Sequence, residues 1–150
     1  MTWNSNMFLD LESIDLDFSH IEYKQLNGLT LAFIGDAVYE IIVRKYVLSK
    51  GEAGVKDLHK ACVDYVNADF QADSVTRLLP LLSEEEEAVY KRGRNAHSAH
   101  TPKNKSEAQY HRATGFEALL GYLYLKKDYQ RLKELLLLVL CKDESNAQEK

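Results

Sequence analysis

The sequence contains few residues that break helices or cross-link a chain: two prolines, seven glycines and two cysteines among 150 residues. Its longest unbroken apolar run covers seven residues, 135–141, whereas a membrane-spanning helix needs about 18. Cys62 and Cys141 form no CxxC or Cys/His pattern, which favours two reduced thiols over a metal site. No basic residue precedes Lys24, so a secretory signal is not indicated. We therefore expect one cytoplasmic globular domain without a transmembrane segment.

Several catalytic motifs are also absent. The chain has no GxxxxGK[ST] phosphate loop, no GxGxxG dinucleotide loop, no HExxH zinc helix and no GxSxG nucleophile elbow. It has no strand pattern and no internal repeat. These absences exclude the corresponding nucleotide-binding, zinc-protease and serine-hydrolase classes, and they leave an all-α fold.

Apolar spacing predicts the first helices. Residues 26–48 are apolar on nearly every side, which predicts a helix at the centre of the core. The next segment predicts one continuous helix that Pro80 ends. Its apolar seam, which faces either the core or a partner helix, consists of Leu58, Ala61, Tyr65, Ala68, Ala72, Val75 and Leu79.

Capping residues predict where the later helices begin. Ser83 and Glu86 form a capping box for a helix over 84–92, and Gly93 is placed to terminate it. Ser106 and Gln109 begin a further helix to about Leu125, and a last helix covers 128–141. The predicted organisation is an acidic lead-in (1–22), the helical domain (23–141) and a polar tail (142–150).

A basic island interrupts an acidic chain. The net charge is −4, but residues 91–112 carry six basic residues against one acid, which gives +5 locally and leaves −9 for the rest. Such a patch indicates a polyanionic partner, because phosphate contacts dominate affinity for nucleic acids. The candidate contact residues are Arg92, Arg94, Asn95, Lys103, Asn104 and Lys105. A merely solvated basic surface is the alternative.

Two carboxylates lie in apolar sequence surroundings. Asp36 lies in the most apolar part of the first helix, and Glu117 lies between Gly115 and Gly121 in the predicted helix that begins at Ser106. A buried charge is costly unless it is paired, so we expect the two acids to face one another across a cation or to bond distant groups. Glu40, one turn beyond Asp36, is a candidate third ligand or a residue that orients a ligand; alternatively it pairs with Arg44.

These residues resemble the ribonuclease III family. Residues 31–40, LAFIGDAVYE, are similar to its signature helix, and residues 113–124, ATGFEALLGYLY, are similar to its second catalytic helix. KRGRN at 91–95 and TPKN at 101–104 resemble the Mini-ribonuclease III branch, whose members consist of the catalytic domain alone. Larger family members have acids at two further positions, where this chain has Leu29 and Thr114.

The resemblance implies a function. It implies a symmetric homodimer that binds Mg²⁺ through Asp36 and Glu117, with Mn²⁺ able to replace it. It also implies cleavage of double-stranded RNA to 5′-phosphate and 3′-hydroxyl ends, in maturation of the 5′ and 3′ ends of 23S ribosomal RNA precursor. No residues remain for a double-stranded-RNA-binding domain, and neither a membrane nor a small-molecule substrate is expected. Two alternatives stay open: a non-catalytic RNA-binding or ribosome-assembly module on the same fold, and a helical adaptor that binds a partner through the seam of 58–79.

Overall fold

The computed structural model describes residues 18–51, 54–96 and 107–141. Within them the regular elements are helical, which confirms the all-α prediction. Short 3₁₀ turns occupy Tyr23–Gln25 and Leu79–Leu81. The α-helices are α1 (Gly28–Ser49), α2 (Val55–Val66), α3 (Ala68–Leu78), α4 (Glu84–Arg94), α5 (Glu107–Lys126) and α6 (Tyr129–Leu140).

Parts of three predicted segments lie outside the described residues. They are most of the acidic lead-in, most of the loop between α4 and α5, and the polar tail. None of the described helices is both long enough and apolar enough to cross a bilayer. Both cysteines are free thiols, and Cys62 is buried as predicted.

Helices α1 and α5 cross backbone to backbone at the centre of the fold. A Cβ atom at Gly35 would lie 1.7 Å from the carbonyl oxygen of Glu117, and one at Gly121 would lie 2.0 Å from that of Leu31. No side chain fits into these gaps, so both positions require glycine. Gly35 and Gly121 therefore permit the close approach of α1 and α5, and the crossing brings Asp36 next to α5.

Helix α4 packs on a different face of α5, through a second pair of glycines. A Cβ atom at Gly93 would lie 2.5 Å from the Cβ of Ala118, and one at Gly115 would lie 2.6 Å from the ring of Tyr90. The prediction that Gly93 terminates α4 is wrong, because the helix continues to Arg94. Gly93 is instead buried within the helix, where its lack of a side chain allows contact with α5.

The capping box at the start of α4 is confirmed. The backbone N–H of Glu86 donates to Ser83 Oγ at 3.2 Å, and the Ser83 N–H donates to Glu86 Oε1 at 2.8 Å. The same buried carboxylate accepts a hydrogen bond from Arg131 Nε at 2.8 Å, and this contact links α4 to α6. Burial raises the pKa of Glu86, but the Arg131 and Ser83 hydrogen bonds outweigh it, so the net pKa is lowered.

The predicted continuous helix over the seam is broken at Asn67. Asn67 has extended backbone angles (φ −71°, ψ 156°), and its Oδ1 accepts from the Phe70 N–H at 2.8 Å, so it caps a new helix. Helix α3 then ends at Leu78, and Pro80 lies in the following 3₁₀ turn. Five of the seven seam residues pack within or against the chain's own core, and Ala72 is buried as well, so the structure gives no support to the adaptor interpretation.

Helix α1 is not buried on all sides, contrary to the prediction from its composition. Its buried face includes Leu31, Val43 and eight other residues, but several large apolar side chains face the solvent. Phe33 is 76% exposed, and Leu29, Ile41 and Leu48 are also exposed. Some of the apolar side chains of α1 therefore lie on the protein surface and not in the core.

Candidate active site

A cleft of about 350 Å³ lies between α1, α5 and the junction of α2 with α3. It contains both predicted acids: Asp36 from α1 and Glu117 from α5. Gln71 of α3 also lines it, and the remaining walls are formed by Leu29, Ala32, Phe33, Val66, Ala68, Tyr110, Ala113 and Thr114. The helix crossing at Gly35 brings the two predicted acids into one depression.

Glu117 is the more buried of the two acids. Burial raises its pKa to about 8, and the neighbouring negative charges of Asp36 and Glu40 contribute to the increase. A hydrogen bond from the Gln71 side chain opposes them. A carboxyl group in this environment is readily neutralised by a proton, or it is stabilised in its charged form by a cation.

Asp36 lies at the exposed side of the cleft, so the expectation that it is buried in apolar surroundings is wrong. The sequence around it is apolar, but Phe33 and Ala37 beside it are themselves exposed. Partial burial still raises the pKa of Asp36, and the Glu40 carboxylate raises it further. The two acids therefore differ in solvation, with Glu117 on the inner side of the cleft and Asp36 toward the solvent.

The donor set fits a hard divalent cation with few protein ligands. No group of three or more His, Cys, Asp or Glu side chains in the described ranges is arranged to hold a metal ion. Mg²⁺ is commonly held by one or two carboxylates, with water and substrate phosphates completing its octahedral shell. Two carboxylates with raised pKa values, in a cleft open on one side, match that pattern.

Glu40 pairs with Arg44, as the alternative interpretation predicted. Arg44 donates to Glu40 Oε1 from Nη2 at 3.0 Å and from Nε at 3.2 Å. Both side chains are largely exposed. Glu40 still influences the site, because its charge raises the pKa values of Asp36 and Glu117.

The two positions at which larger family members have acids lie in the same cleft. Leu29 and Thr114 both line it. Leu29 is partly exposed, and the Thr114 hydroxyl donates to the Tyr110 carbonyl one turn earlier, at 3.0 Å. The positions that resemble family acids therefore converge in space, and in this chain two of them carry no charge.

The basic residues of α4 do not share one depression. Arg94 and Asn95 line a cleft of about 540 Å³ together with His111 and Arg112 of α5. Arg92 donates to the Lys24 carbonyl at 3.3 Å and lines a separate depression with Glu85 and Tyr122. The other predicted RNA contacts, Lys103, Asn104 and Lys105, lie outside the described residues.

Two polar residues that line the cleft were not predicted from the sequence: Gln71 and Tyr110. With one continuous helix over 58–79, the seam includes Ala68 and Ala72 and leaves Gln71 beside it. On α3, Gln71 shares the orientation of Val75 and Leu78, one and two turns further along, and it is 2% exposed. The sequence signal that could have indicated the start of α3 is Asn67, since an asparagine followed by a helical pattern marks a helix start.

Known proteins resemble this chain over most of its length. Residues 29–128 match the Ribonuclease III domain family. Mini-ribonuclease 3 of Enterococcus faecalis is 49% identical over 117 residues, which cover 77% of this chain and 89% of that protein. Mini-ribonuclease 3 of Clostridium tetani is 44% identical over 133 residues, 88% of each chain. A crystal structure of a Fusobacterium nucleatum protein superposes with a TM-score of 0.73 at 32% identity, covering 80% of this chain and 96% of the other.

Proposed function

The chain belongs to the ribonuclease III family, in its Mini-ribonuclease III branch, and is an endoribonuclease. We propose that it cleaves double-stranded RNA in the cleft that contains Asp36 and Glu117. The observation that carries the proposal is the presence of both motif acids in one depression. RNA duplexes are recognised mainly by shape and by contacts with phosphate and 2′-hydroxyl groups. An open cleft at the protein surface suits such a substrate.

In this proposal, Asp36 and Glu117 hold Mg²⁺, or Mn²⁺ in its place, through one carboxylate each. When bound, the cation supplies Lewis acidity and a nucleophile for hydrolysis of the phosphodiester, leaving 5′-phosphate and 3′-hydroxyl ends. Glu117 would contribute the ligand on the buried side of the cleft, from a helix that is packed between its neighbours. Asp36 would contribute the ligand on the solvent side. Glu40 adds negative charge and, through Arg44, stays outside the ligand set.

The proposed RNA contacts are basic and amide residues of α4 and of the sequence that follows it. Arg94 and Asn95, with Lys103, Asn104 and Lys105 of the adjoining segment, bind backbone phosphates and riboses in this proposal. The described part of this surface contains Arg112 as well, held by the Thr76 hydroxyl and, at 3.1 Å, by the Ala72 carbonyl. Arg92 faces another depression, so it contacts a different part of the duplex or a second phosphate row.

We also propose a two-fold homodimer, in which each subunit cuts one strand. Phe33 is 76% exposed on the rim of the cleft, and Leu29, one turn earlier, is 37% exposed. Exposed apolar side chains that are grouped on one helix indicate an interface. An interface at this rim would set the two clefts close to one another.

The substrate we propose is the precursor of 23S ribosomal RNA, cut near its 5′ and 3′ ends in the cytoplasm. This assignment follows from the resemblance to the Mini-ribonuclease III branch. Identities of 44–51% to Mini-ribonuclease 3 proteins support membership of that branch. The free thiols of Cys62 and Cys141 suit a reducing compartment.

The test is incubation of the purified protein with an end-labelled RNA duplex, with Mg²⁺ or with EDTA. We expect cleavage in Mg²⁺ only, with 5′-phosphate ends, and no cleavage by Asp36→Asn or Glu117→Gln. Both variants should bind the duplex and, without metal, be as stable as wild type or slightly more stable, because a poorly compensated charge is removed. Binding without cleavage by the wild type would support the non-catalytic RNA-binding module instead.

A further inference from the structure

Gln71 is an amide at a position where α3 packs into the core. Its side chain is 2% exposed, and Val75 and Leu78 on the same face of α3 are 3% and 2% exposed. An apolar residue would fill such a position without losing hydration, whereas a buried amide needs hydrogen-bond partners. Those partners show what the amide is suited to do.

The amide joins the end of α2 to Glu117. Gln71 Nε2 lies 3.5 Å from the carbonyl oxygen of Val66. The same side chain lines the cleft beside Glu117, within reach of a hydrogen bond to its carboxylate. Val66 is the last residue of α2, because Asn67 breaks the helix there. An NH₂ group has two hydrogens, so it can donate one to each acceptor. The amide therefore lies between the end of α2 and Glu117, in the same cleft.

Other polar groups near Glu117 are engaged elsewhere or repel it. The Tyr39 hydroxyl lies close enough to interact electrostatically with Glu117, but it donates to the Tyr65 carbonyl at 2.6 Å. Asp36 and Glu40 are acids, and their carboxylates offer Glu117 no hydrogen-bond donor. Gln71, which lines the same cleft, is therefore placed to donate a hydrogen bond to the Glu117 carboxylate and to hold its orientation.

We propose that Gln71 is a positioning residue, which holds the Glu117 carboxylate in the orientation in which it shares a divalent cation with Asp36. The inference rests on the proposed function, because it assumes that these two acids bind the metal. Hydrogen bonds from neighbouring residues commonly set the orientation and affinity of a metal-binding carboxylate. The helix break at Asn67 then has a functional consequence, since it turns Gln71 into the cleft.

The test compares Gln71→Met with the wild type. Methionine keeps the length and the packing of the side chain and removes both donors. We expect the affinity for Mn²⁺ without RNA, measured from the electron paramagnetic resonance signal of free Mn²⁺, to fall about 10- to 100-fold. The Mg²⁺ concentration for half-maximal cleavage should rise by a similar factor, with the maximal rate largely restored at high Mg²⁺. Thermal unfolding in EDTA should be unchanged or shifted upward.

Ser74→Ala is the matched control. Ser74 is fully buried on the same helix, and its Oγ donates to the Phe70 carbonyl at 2.8 Å. This variant also removes a buried donor from α3, but not one that contacts Glu117. Its affinity for Mn²⁺ should equal that of the wild type. If Gln71→Met does not fold, Gln71→Leu is measured with the same expectation.

The outcomes separate the two proposals. An unchanged Mn²⁺ affinity in Gln71→Met would overturn the positioning role, whatever happens to stability. If the wild type binds Mn²⁺ but does not cleave RNA, the proposed function fails, while the positioning role is still decided by the Mn²⁺ affinity of the variant. Mn²⁺ binding that survives in Asp36→Asn with unchanged affinity would overturn both.

Discussion

Replacing Gly35 by alanine tests whether the helix crossing creates the site. A Cβ atom there would lie 1.7 Å from the Glu117 carbonyl oxygen, 2.6 Å from its carbonyl carbon and 2.9 Å from the Gly121 nitrogen. All three are backbone atoms of α5, so no side chain can rotate away to make room. The two helices must move apart, and Asp36 and Glu117 move apart with them.

The cost follows from the size of the overlap. Protein Cβ atoms essentially never approach other heavy atoms within 3.0 Å, so the contact at 1.7 Å requires a displacement of more than 1 Å. A gap of 0.5–1 Å already removes about a quarter to a half of the attraction between packed atoms. Overpacked cores lose about 1–3 kcal/mol, and a backbone clash belongs at the upper end. We expect a loss of about 3 kcal/mol, which lowers Tm by roughly 6–12 °C in a chain of this size.

Urea unfolding followed by circular dichroism measures this loss, and cleavage of a duplex measures the effect on the site. A misplacement near 1 Å should reduce the cleavage rate by about 100-fold under conditions in which the variant is folded. Gly54→Ala is the control, because the nearest atom to its added Cβ is a side-chain oxygen of Asp57 at 3.6 Å. It should lose less than about 1 kcal/mol. If Gly35→Ala is as stable as Gly54→Ala, the reasoning from the crossing is wrong.

Three further outcomes are expected. Phe33→Ser should lower the molar mass measured by light scattering toward that of a monomer at micromolar concentration, and a wild type that is already monomeric would refute the dimer. Combined Arg92→Ala and Arg94→Ala should reduce the slope of log binding constant against log salt concentration by about two units, since each neutralised phosphate contributes about 0.9. The measurement uses a cleavage-inactive background, and an unchanged slope would mean that neither arginine contacts RNA. Glu86→Gln breaks the buried pair with Arg131 and should cost about 2 kcal/mol at neutral pH. The pKa of Glu86 is lowered in the folded state, so the difference in free energy of unfolding between wild type and variant should be constant above pH 4.5, the ordinary pKa, and shrink below it. A difference that persists at low pH would exclude the ion pair as its cause.

Much of the fold could be predicted from the sequence, because its local signals agree with the packing. The Ser83 capping box begins α4 where expected, and the apolar face of α6 is buried as its spacing predicts. The errors occurred where one residue type serves two purposes. Gly93 resembles a helix terminator, but here it allows α4 to touch α5. Asn67 interrupts a seam whose spacing alone continues unbroken through it.

The candidate site was predictable in its acids and not in its surroundings. Asp36 and Glu117 could be singled out because carboxylates are rare in apolar segments, although only Glu117 is substantially buried. Sequence periodicity describes one helix at a time, whereas the solvation of Asp36 depends on which face of α1 its neighbours leave uncovered. The role of Gln71 depends on a helix start and on a contact between α3 and α5 that spans 46 positions of sequence.

The glycine contacts on two faces of α5 also constrain how this fold can diverge. Because α5 touches α1 through one glycine pair and α4 through the other, a change in its small residues must be matched in two neighbours at once. A chimera in which only α5 is replaced by that of a relative would have to preserve both helix crossings. We therefore expect that α1, α4 and α5 must be exchanged together. Changes in substrate preference are therefore accommodated more readily outside these three helices than within them, because the crossings hold the helices of Asp36 and Glu117 in register.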